Sequence, residues 1–530
     1  MAAAADTDKP QAPVVYARRW AVVAVFCLLN STNAALWVTY AAISTPAGDL
    51  FQVDAGLINA LSLTYMFAYL PGTLLAAWSL DRLGLRATMA VAGAGNLVCG
   101  VVRALAVLLL PGSPMVAWGI TLAGQCVGAL VQPAFTNAPA KIAGVWFPKQ
   151  ERDLATVLAA MSNPLGNAIG MFLPTLMVSS ANAGDMGAML WTEAGAAALG
   201  AVLTLLVIRD APPTPASLSS GARSALRAQS VRRAATGKGG YFDDEDDSGH
   251  SRETASAPPD VAPAALAAGA SRGPGDCPAA ADSHGATTGL VGAARADAEE
   301  GGEEGGGDTL SRMWVECRVL LSDPPFRLLL VAFSLGLGLF NAFVTLVAQI
   351  VEPCGYNSDD AGIFGGALIG AGLLGAGVAG AALEATRAYT AALRIGFVLC
   401  TATILGLVAS LQRDSFGLLV GTFAGAGLTI LPLLPVTLES AVEHSFPIVE
   451  ESASALLLLG GQITGIVFVF VMPLLIPNDC STVLTPFAAL VAAVLIVATA
   501  LILCFRVQPR RTKAETNAAA SPLLAAPADA

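Results

Sequence analysis

The amino-acid sequence predicts an all-α membrane protein with twelve transmembrane helices, arranged as two six-helix halves around a polar central loop. Of its 530 residues, 55% are hydrophobic and only 13% are charged, and the mean hydropathy is +0.65. Soluble domains carry about 25% charged residues, and a single apolar core stops growing at roughly 250–300 residues. This composition therefore excludes a soluble enzyme and is typical of a protein with many membrane spans.

Apolar runs of about 20 residues fit the ~30 Å hydrocarbon layer of a bilayer. The sequence contains twelve such runs, separated by short turns with Gly, Pro, Asp or Arg, and the two predicted halves cover 19–208 and 327–505. The predicted spans are 19–43, 56–79, 87–110, 116–138, 154–178, 187–208, 327–351, 361–383, 391–410, 415–437, 451–475 and 484–505.

The chain between the halves, 209–326, differs from both of them in composition. It is rich in Ala, Gly, Ser and Pro, and it includes the acidic run 243–247. Such a segment cannot bury an apolar core. We therefore predict a disordered cytoplasmic linker with a short interfacial helix near Leu310–Leu321, and we regard it as a candidate binding surface for partner proteins. The tails 1–18 and 506–530 are also expected to be cytoplasmic.

Lys and Arg residues concentrate in the segments that lie inside when both termini are cytoplasmic, whereas Arg103 and Arg413 fall on the outer half. The positive-inside rule therefore predicts cytoplasmic N- and C-termini. Which cellular membrane holds the protein is left open. No large basic patch indicates nucleic-acid binding, so the expected partners are the lipid bilayer and a small-molecule substrate.

The cysteines and histidines form no CxxC motif and no His/Cys cluster, so neither a metal site nor a cofactor is predicted. No nucleophile–base pair is embedded in the predicted spans, which argues against an enzyme. Cys354 and Cys480 both fall in predicted outer loops, and whether they pair stays open at this stage.

Uncharged polar residues recur inside the predicted spans, near the depth of the membrane midplane. In the first span, Asn30, Asn33, Trp37 and Tyr40 are spaced so that they lie within about 80° of one another on the helix. Polar side chains in a membrane bundle face its interior or a cavity, which predicts a substrate site between the halves. Helix–helix hydrogen bonding is the alternative role for each amide. The candidate substrate-binding residues are Asn30, Asn33, Trp37, Gln125, Asn163, Asn341 and Gln462.

Two cytoplasmic loops are predicted to form a conformational latch. The loop after the second span carries the pattern D-R-x-G-x-R, and the loop after the eighth span repeats the order of acid and base in degenerate form. An acid at a helix end can pair with an Arg or with a facing helix N-terminus, and such a pair can hold two helices together in one state. A hydrated turn that merely follows the positive-inside rule is the alternative. The predicted latch residues are Asp81, Arg82, Arg86, Glu384 and Arg387.

Several segments resemble one known family. They are the run 28–37, the loop 80–86, Gly-Val-Trp-Phe-Pro at 144–148, Met-Ser-Asn-Pro-Leu-Gly at 161–166, and Glu-His-Ser-Phe-Pro at 443–447. In these segments the chain resembles the feline leukaemia virus subgroup C receptor-related family, solute carrier family 49 of the major facilitator superfamily. The amino-acid sequence at 161–166 is most similar to that of the A3-type branch. The resemblance implies a major facilitator fold and a transporter, and members of the family have been linked to choline, ethanolamine and haem.

The resemblance also implies roles for individual residues. A first-helix Trp of the family matches Trp37 and an eleventh-helix Gln matches Gln462, and both are implicated in binding an amine. Two family positions differ, because a fifth-helix Gln is Pro164 here and a seventh-helix Tyr is Asn341. An indole ring attracts a cation, so the predicted substrate is a small organic amine or cation such as choline or ethanolamine. The alternatives are a haem transporter and a membrane receptor or sensor on the same fold.

The predicted spans place no Asp, Glu or His near the midplane, where a proton-coupled carrier needs an ionisable group. Glu193 and Glu352 are expected near outer helix ends and Glu439 near an inner end, and Arg103 is expected to reach the outer interface with its long side chain. The sequence therefore predicts a uniporter. The competing prediction is that Glu352 or Glu439 faces the cavity and carries a proton.

Overall fold

The structure, a computed structural model, describes residues 15–148, 151–178, 181–214, 306–386, 388–445, 450–477, 480, 485–508 and 510. Residues 215–305 of the predicted disordered linker 209–326 lie outside these residues. In the N-terminal half (the N-half), the helices are α1 (Arg18–Ala42), α2 (Ser44–Phe51), α3 (Ala55–Arg82), α4 (Gly84–Ala106), α5 (Pro114–Trp146), α6 (Arg152–Met177) and α7 (Ala183–Val207).

The described part of the chain resumes with one helix of the linker and continues into the C-terminal half (the C-half). The linker helix covers the interfacial helix that the sequence predicts near Leu310–Leu321. These helices are α8 (Gly306–Ser322), α9 (Pro324–Val351), α10 (Ser358–Thr386), α11 (Tyr389–Ala409), α12 (Phe416–Ile430), α13 (Leu433–Ser445), α14 (Glu450–Val471) and α15 (Pro486–Cys504).

Eleven segments of the described chain are long and apolar enough to cross a membrane, when α12 and α13 are counted together. The remaining predicted span, 154–178, corresponds to α6, which packs against α1. This helix carries polar residues that face the bundle interior, among them Ser162, Asn163 and Asn167. The all-helical architecture predicted from the sequence is therefore confirmed.

Local sequence sets several helix boundaries. The Asp54 side chain accepts a hydrogen bond from the Leu57 N–H and caps α3, and the Asn182 and Thr485 side chains cap α7 and α15 in the same way. The predicted tenth span is split into α12 and α13 around Pro432. Pro432 cannot donate a backbone hydrogen bond, which weakens the helix at this point.

The two ends of the bundle differ in how tightly the halves are packed. We call the end that carries Arg18 and Phe505 the terminal face, and the opposite end, where a disulfide joins Cys354 to Cys480, the disulfide face. One apolar core is shared by both halves, and its N-half members lie from the middle of their helices toward the disulfide face. They are Trp37, Val38, Ala42, Leu63, Tyr65, Met66, Ala129 and Met171.

Direct contacts between the halves follow the same distribution. At the disulfide face, the Gln349 Nε2 of α9 donates a hydrogen bond of 2.9 Å to the Asn59 Oδ1 of α3. A Cβ added at Gly362 of α10 would overlap the Thr175 side chain of α6, so these two helices touch closely there. Toward the terminal face, the N-half has an apolar core of its own. The halves therefore close the disulfide face and diverge toward the terminal face.

Candidate substrate-binding site

A cavity lies between the two halves and has an empty volume of about 1450 Å³, including the solvent at its mouth. Its wall starts near the middle of the bundle and extends to Pro139, Ala160 and Leu438 in the terminal-side parts of their helices. Polar lining residues come from both halves. They are Asn30, Trp37, Tyr69, Gln132, Thr136, Asn163, Asn167, Asn341 and Gln462.

On the N-half wall, two predicted site residues are joined to each other. The Asn163 Nδ2 donates a hydrogen bond of 3.2 Å to the Asn30 Oδ1. The Asn30 Nδ2 in turn donates to the Ser162 hydroxyl at 2.8 Å and to the Ala159 carbonyl at 3.2 Å. Asn30 is therefore held rigidly by α6, and the Asn163 carbonyl oxygen is the acceptor that this arrangement leaves for a ligand.

On the C-half wall, the two predicted amides of the C-half also form a pair. The Asn341 Nδ2 donates a hydrogen bond of 3.4 Å to the Gln462 Oε1, which joins α9 to α14. This bond leaves the Asn341 carbonyl oxygen and the Gln462 amide group for a ligand. The cavity thus has one amide pair on each of its two facing walls.

Trp37 lines the cavity where the wall meets the closed end of the bundle. Its Nε1 donates a hydrogen bond of 3.1 Å to the Ser62 carbonyl, and its ring stacks on Tyr65 with a centroid distance of 6.3 Å. The side chain is only 4% exposed. The indole is therefore fixed in orientation at the cavity wall.

Two predicted site residues, Asn33 and Gln125, do not line the cavity. The Asn33 Nδ2 donates to the Asn96 Oδ1 at 2.8 Å, and the Gln125 Nε2 donates to the Leu36 carbonyl at 3.3 Å. Both side chains are completely buried inside the N-half. They stabilise contacts between helices, which is the alternative role of a membrane amide.

Four polar lining residues, Tyr69, Gln132, Thr136 and Asn167, are not among the site residues chosen from the sequence, and two of them, Gln132 and Asn167, are amides. The side chains of Gln132 and Asn167 are 4% and 3% exposed, and the Gln132 Oε1 and the Asn167 Oδ1 have no hydrogen-bond partner among the described residues. A buried acceptor without a partner costs about 1–3 kcal/mol. A signal for Gln132 was present, because it follows Gln125 by two helical turns on the same face of α5.

The expectation that Arg103 reaches the outer interface is wrong. Its side chain is completely buried, and the guanidinium lies 3.2 Å from a Glu193 carboxylate oxygen and 4.9 Å from the centre of the Tyr40 ring. Glu193 also accepts a hydrogen bond of 2.6 Å from the Thr39 hydroxyl. Because α7 begins at Ala183, Glu193 lies about 15 Å along its helix, deeper than the sequence suggested. A carboxylate buried without a partner would be far more costly than this ion pair.

A model of one protein family matches residues 22–469, and its description is Major Facilitator Superfamily. The chain belongs to the major facilitator superfamily. Solved structures share this fold at low sequence identity. A D-xylose–proton symporter has a TM-score of 0.56 at 14% identity, with 93% of this chain and 98% of that chain covered. A peptide transporter has a TM-score of 0.53 at 13% identity, with 90% and 92% covered.

Curated relatives confirm the resemblance to solute carrier family 49 and to its A3-type branch. Solute carrier family 49 member A3 of Danio rerio is 26% identical over 98% of this chain and 95% of its own length. The choline/ethanolamine transporter flvcr2a of Danio rerio is 25% identical over 86% of this chain and 80% of its own length. This major facilitator protein is therefore a multi-pass membrane transporter of a small molecule and not an enzyme.

The predicted latch of this major facilitator protein is described only in part. The side chains of Asp81 and Glu384, together with Arg387, lie outside the described residues, and Arg82 and Arg86 are exposed. At the same loop, the Asp210 Oδ1 accepts a hydrogen bond of 2.9 Å from the Arg86 N–H, beside Gly84, whose φ is +87°. The sequence analysis did not identify Asp210 as a residue of this loop contact. Its negative charge is favourable at the N-terminus of α4, where the helix dipole is positive.

His444, the one described histidine, lies at the terminal face and not in the cavity. Its Nδ1 accepts a hydrogen bond of 3.2 Å from the Gln508 N–H, so the Nε2 carries the proton and donates to the Asp323 Oδ2 at 3.0 Å. Burial alone would raise the pKa of Asp323, but His444 and Arg510 outweigh it and hold the pKa below its usual range. Because both nitrogens are engaged, His444 is not placed to ligate a haem iron.

Proposed function

We propose that this major facilitator protein transports a small organic amine or cation, such as choline or ethanolamine, through the cavity between its halves. The observation that carries the proposal is that amides from both halves and one aromatic ring line the same cavity. A substrate held by both walls can bind from either side as the halves rock around it, which is the alternating-access mechanism.

The lining offers two kinds of interaction to an amine. The carbonyl oxygens of Gln132, Asn163 and Asn167 can accept hydrogen bonds from an ammonium or hydroxyl group. Ethanolamine has both groups. The quaternary nitrogen of choline carries no N–H, so it would depend on the Trp37 ring instead. The relative named as a choline/ethanolamine transporter supports this substrate class.

We further propose that the terminal face is cytoplasmic, so that the structure is an inward-facing state. The positive-inside rule supports this orientation. The disulfide between Cys354 and Cys480 supports it as well, because disulfides persist on the oxidising side of a membrane.

Replacing Trp37 with Ala should weaken substrate binding by on the order of 1–2 kcal/mol, because a desolvated cation loses the ring beneath it. This corresponds to a roughly fivefold to thirtyfold increase in Kd. Binding of radiolabelled choline and ethanolamine to the purified full chain, and their uptake into proteoliposomes, measure the effect.

The matched control is Trp191→Ala, which removes the same ring from a position that is 49% exposed on α7. The control should bind and transport as the unmodified protein does. Equal Kd values for the Trp37 and Trp191 variants would show that the substrate does not bind at Trp37. Binding of an amine without uptake would instead favour a receptor or sensor.

Replacing Asp81 with Asn should slow the change between states and leave substrate affinity nearly unchanged. The reason is that Asp81 lies near the end of α3, far from the cavity amides, where a carboxylate can hold two helix ends together. Uptake rate and equilibrium binding, measured on the same preparation, separate the two effects. A loss of affinity with a normal turnover rate would contradict the predicted latch.

A further inference from the structure

The cavity does not end at the interface between the halves, because part of its wall belongs to α11. The residues Phe397, Cys400, Ile404 and Leu407 line it, and their spacing places them on one face of this helix. α11 packs against α12, α13 and α15, and so lies within the C-half. The cavity therefore has a side branch into the C-half, which we call the apolar lobe.

The break in the tenth span forms another wall of the apolar lobe. Ile430, Leu431, Leu433 and Leu434 flank Pro432, where α12 ends and α13 begins, and all four line the cavity. Leu495 of α15 closes the lobe from a third side. Leu431, Leu433 and Leu495 are buried in the bundle, so their side chains border empty space and not lipid.

The N-half shows that the fold does not require such a space. In the N-half, α4 occupies the place that α11 has in the C-half, since each is the third span of its half. The buried face of α4 carries Asn96, Cys99 and Arg103, and Asn96 and Arg103 bond to carbonyls of α1. The interior of the N-half is thus filled by polar contacts. At the same place, the C-half has apolar side chains around a cavity.

We infer that the apolar lobe receives an alkyl chain of the substrate while the polar head group contacts the amides and Trp37. The transported amine is then a single-chain amphiphile. This inference rests on the proposed function. An apolar cavity holds water poorly, so a small hydrophilic amine would leave the lobe unused. A chain placed there removes apolar surface from water on both sides of the contact.

A homologous series of alkyltrimethylammonium ions, from tetramethylammonium to octyltrimethylammonium, tests the inference on the purified full chain. We expect the affinity to rise about fourfold for each added methylene, the equivalent of about 0.8 kcal/mol per buried CH₂. The rise should stop when the lobe is filled. An affinity that does not depend on chain length would overturn the inference, even if choline itself binds.

Replacing Ile404 with Trp should fill the lobe and abolish the dependence on chain length. Val398→Trp is the matched control, because it adds the same ring to α11 at a position that is 47% exposed toward the outside of the bundle. The control should keep the fourfold steps. If Ile404→Trp does not fold, Cys400→Phe places a smaller ring on the same wall.

A parallel series of 1-alkanols, from butanol to octanol, separates this inference from the proposed function, because alkanols carry no charge. The readout is ligand-induced thermal stabilisation. We expect the melting temperature of the control to rise with each methylene of the alkanol, and that of the Ile404 variant to show no such increase. This result would show that the apolar lobe binds alkyl chains, even if amines do not bind. If neither series shows this difference, the apolar lobe is not a chain site.

Discussion

Replacing Glu193 with Gln should destabilise the folded protein by about 3–5 kcal/mol, the usual effect of removing one partner from a buried ion pair. The amide of Gln can still accept the hydrogen bond from Thr39, so the main change is the loss of the charge opposite Arg103. Arg103 would then be a completely buried cation without a counter-charge. Unfolding of the purified chain in mixed micelles measures the difference in the free energy of unfolding.

The matched control is Glu151→Gln at the pair that Glu151 forms with Arg19, at an N–O distance of 2.9 Å. The two side chains are 38% and 14% exposed, so water screens this pair and its loss should cost less than about 1 kcal/mol. The double variant Arg103→Met with Glu193→Leu should recover most of the stability, because no charge remains buried. Equal effects of the two Glu→Gln substitutions would show that the pair is not buried as described.

The same ion pair shows where prediction from the sequence stops. Arg103 stands close to the end of its apolar run, and a long side chain at such a position usually extends to the interface. Its partner Glu193 is on a different helix, and the sequence carries no signal that the two helices meet there. Only the packing of α4 against α7 reveals the pair.

Helical periodicity predicts which side chains of a span share a face, and only this part of the candidate site was predictable from the sequence. The period of α1 groups Asn30 and Trp37, which line the cavity, with Asn33 and Tyr40, which do not. Periodicity describes direction around a helix and not the depth at which the bundle closes. Gln125 and Gln132 share a face of α5, yet Gln125 lies in the closed part of the bundle and Gln132 borders the cavity.

The apolar lobe could not be predicted from the sequence. Phe397, Cys400 and Ile404 follow the pattern of any buried helix face, and an apolar pattern is the same whether the opposite side is filled or empty. Pro432 lies at the break in the tenth span, but α3, α5 and α6 continue through their prolines, so a proline alone does not predict a break. How much space the break opens depends on the volumes of side chains from several helices, which no single segment encodes.

Uptake of a cationic substrate should depend on membrane potential and not on a pH gradient. Glu193 is a buried carboxylate within the bundle, but it is paired with Arg103 and is not among the residues that line the cavity. A carboxylate that does not border the cavity is not placed to couple proton movement to the substrate. Moving one elementary charge across a membrane potential of 100 mV changes its free energy by ~2.3 kcal/mol. A potential of 100 mV, negative inside, should therefore accumulate a monovalent cation about fiftyfold inside the vesicles.

Proteoliposomes with an imposed potassium diffusion potential measure this accumulation, and an ionophore that exchanges protons for potassium removes the pH gradient at the same voltage. Uptake that is unchanged by the ionophore supports a uniporter. Uptake that stops would establish proton coupling, and Glu352→Gln and Glu439→Gln would then test the two carboxylates of the competing prediction, neither of which is among the residues that line the cavity. Uptake of an electroneutral substrate would depend on neither the membrane potential nor the pH gradient. That result would exclude a cation as the transported form, but the cavity amides would remain the proposed binding site.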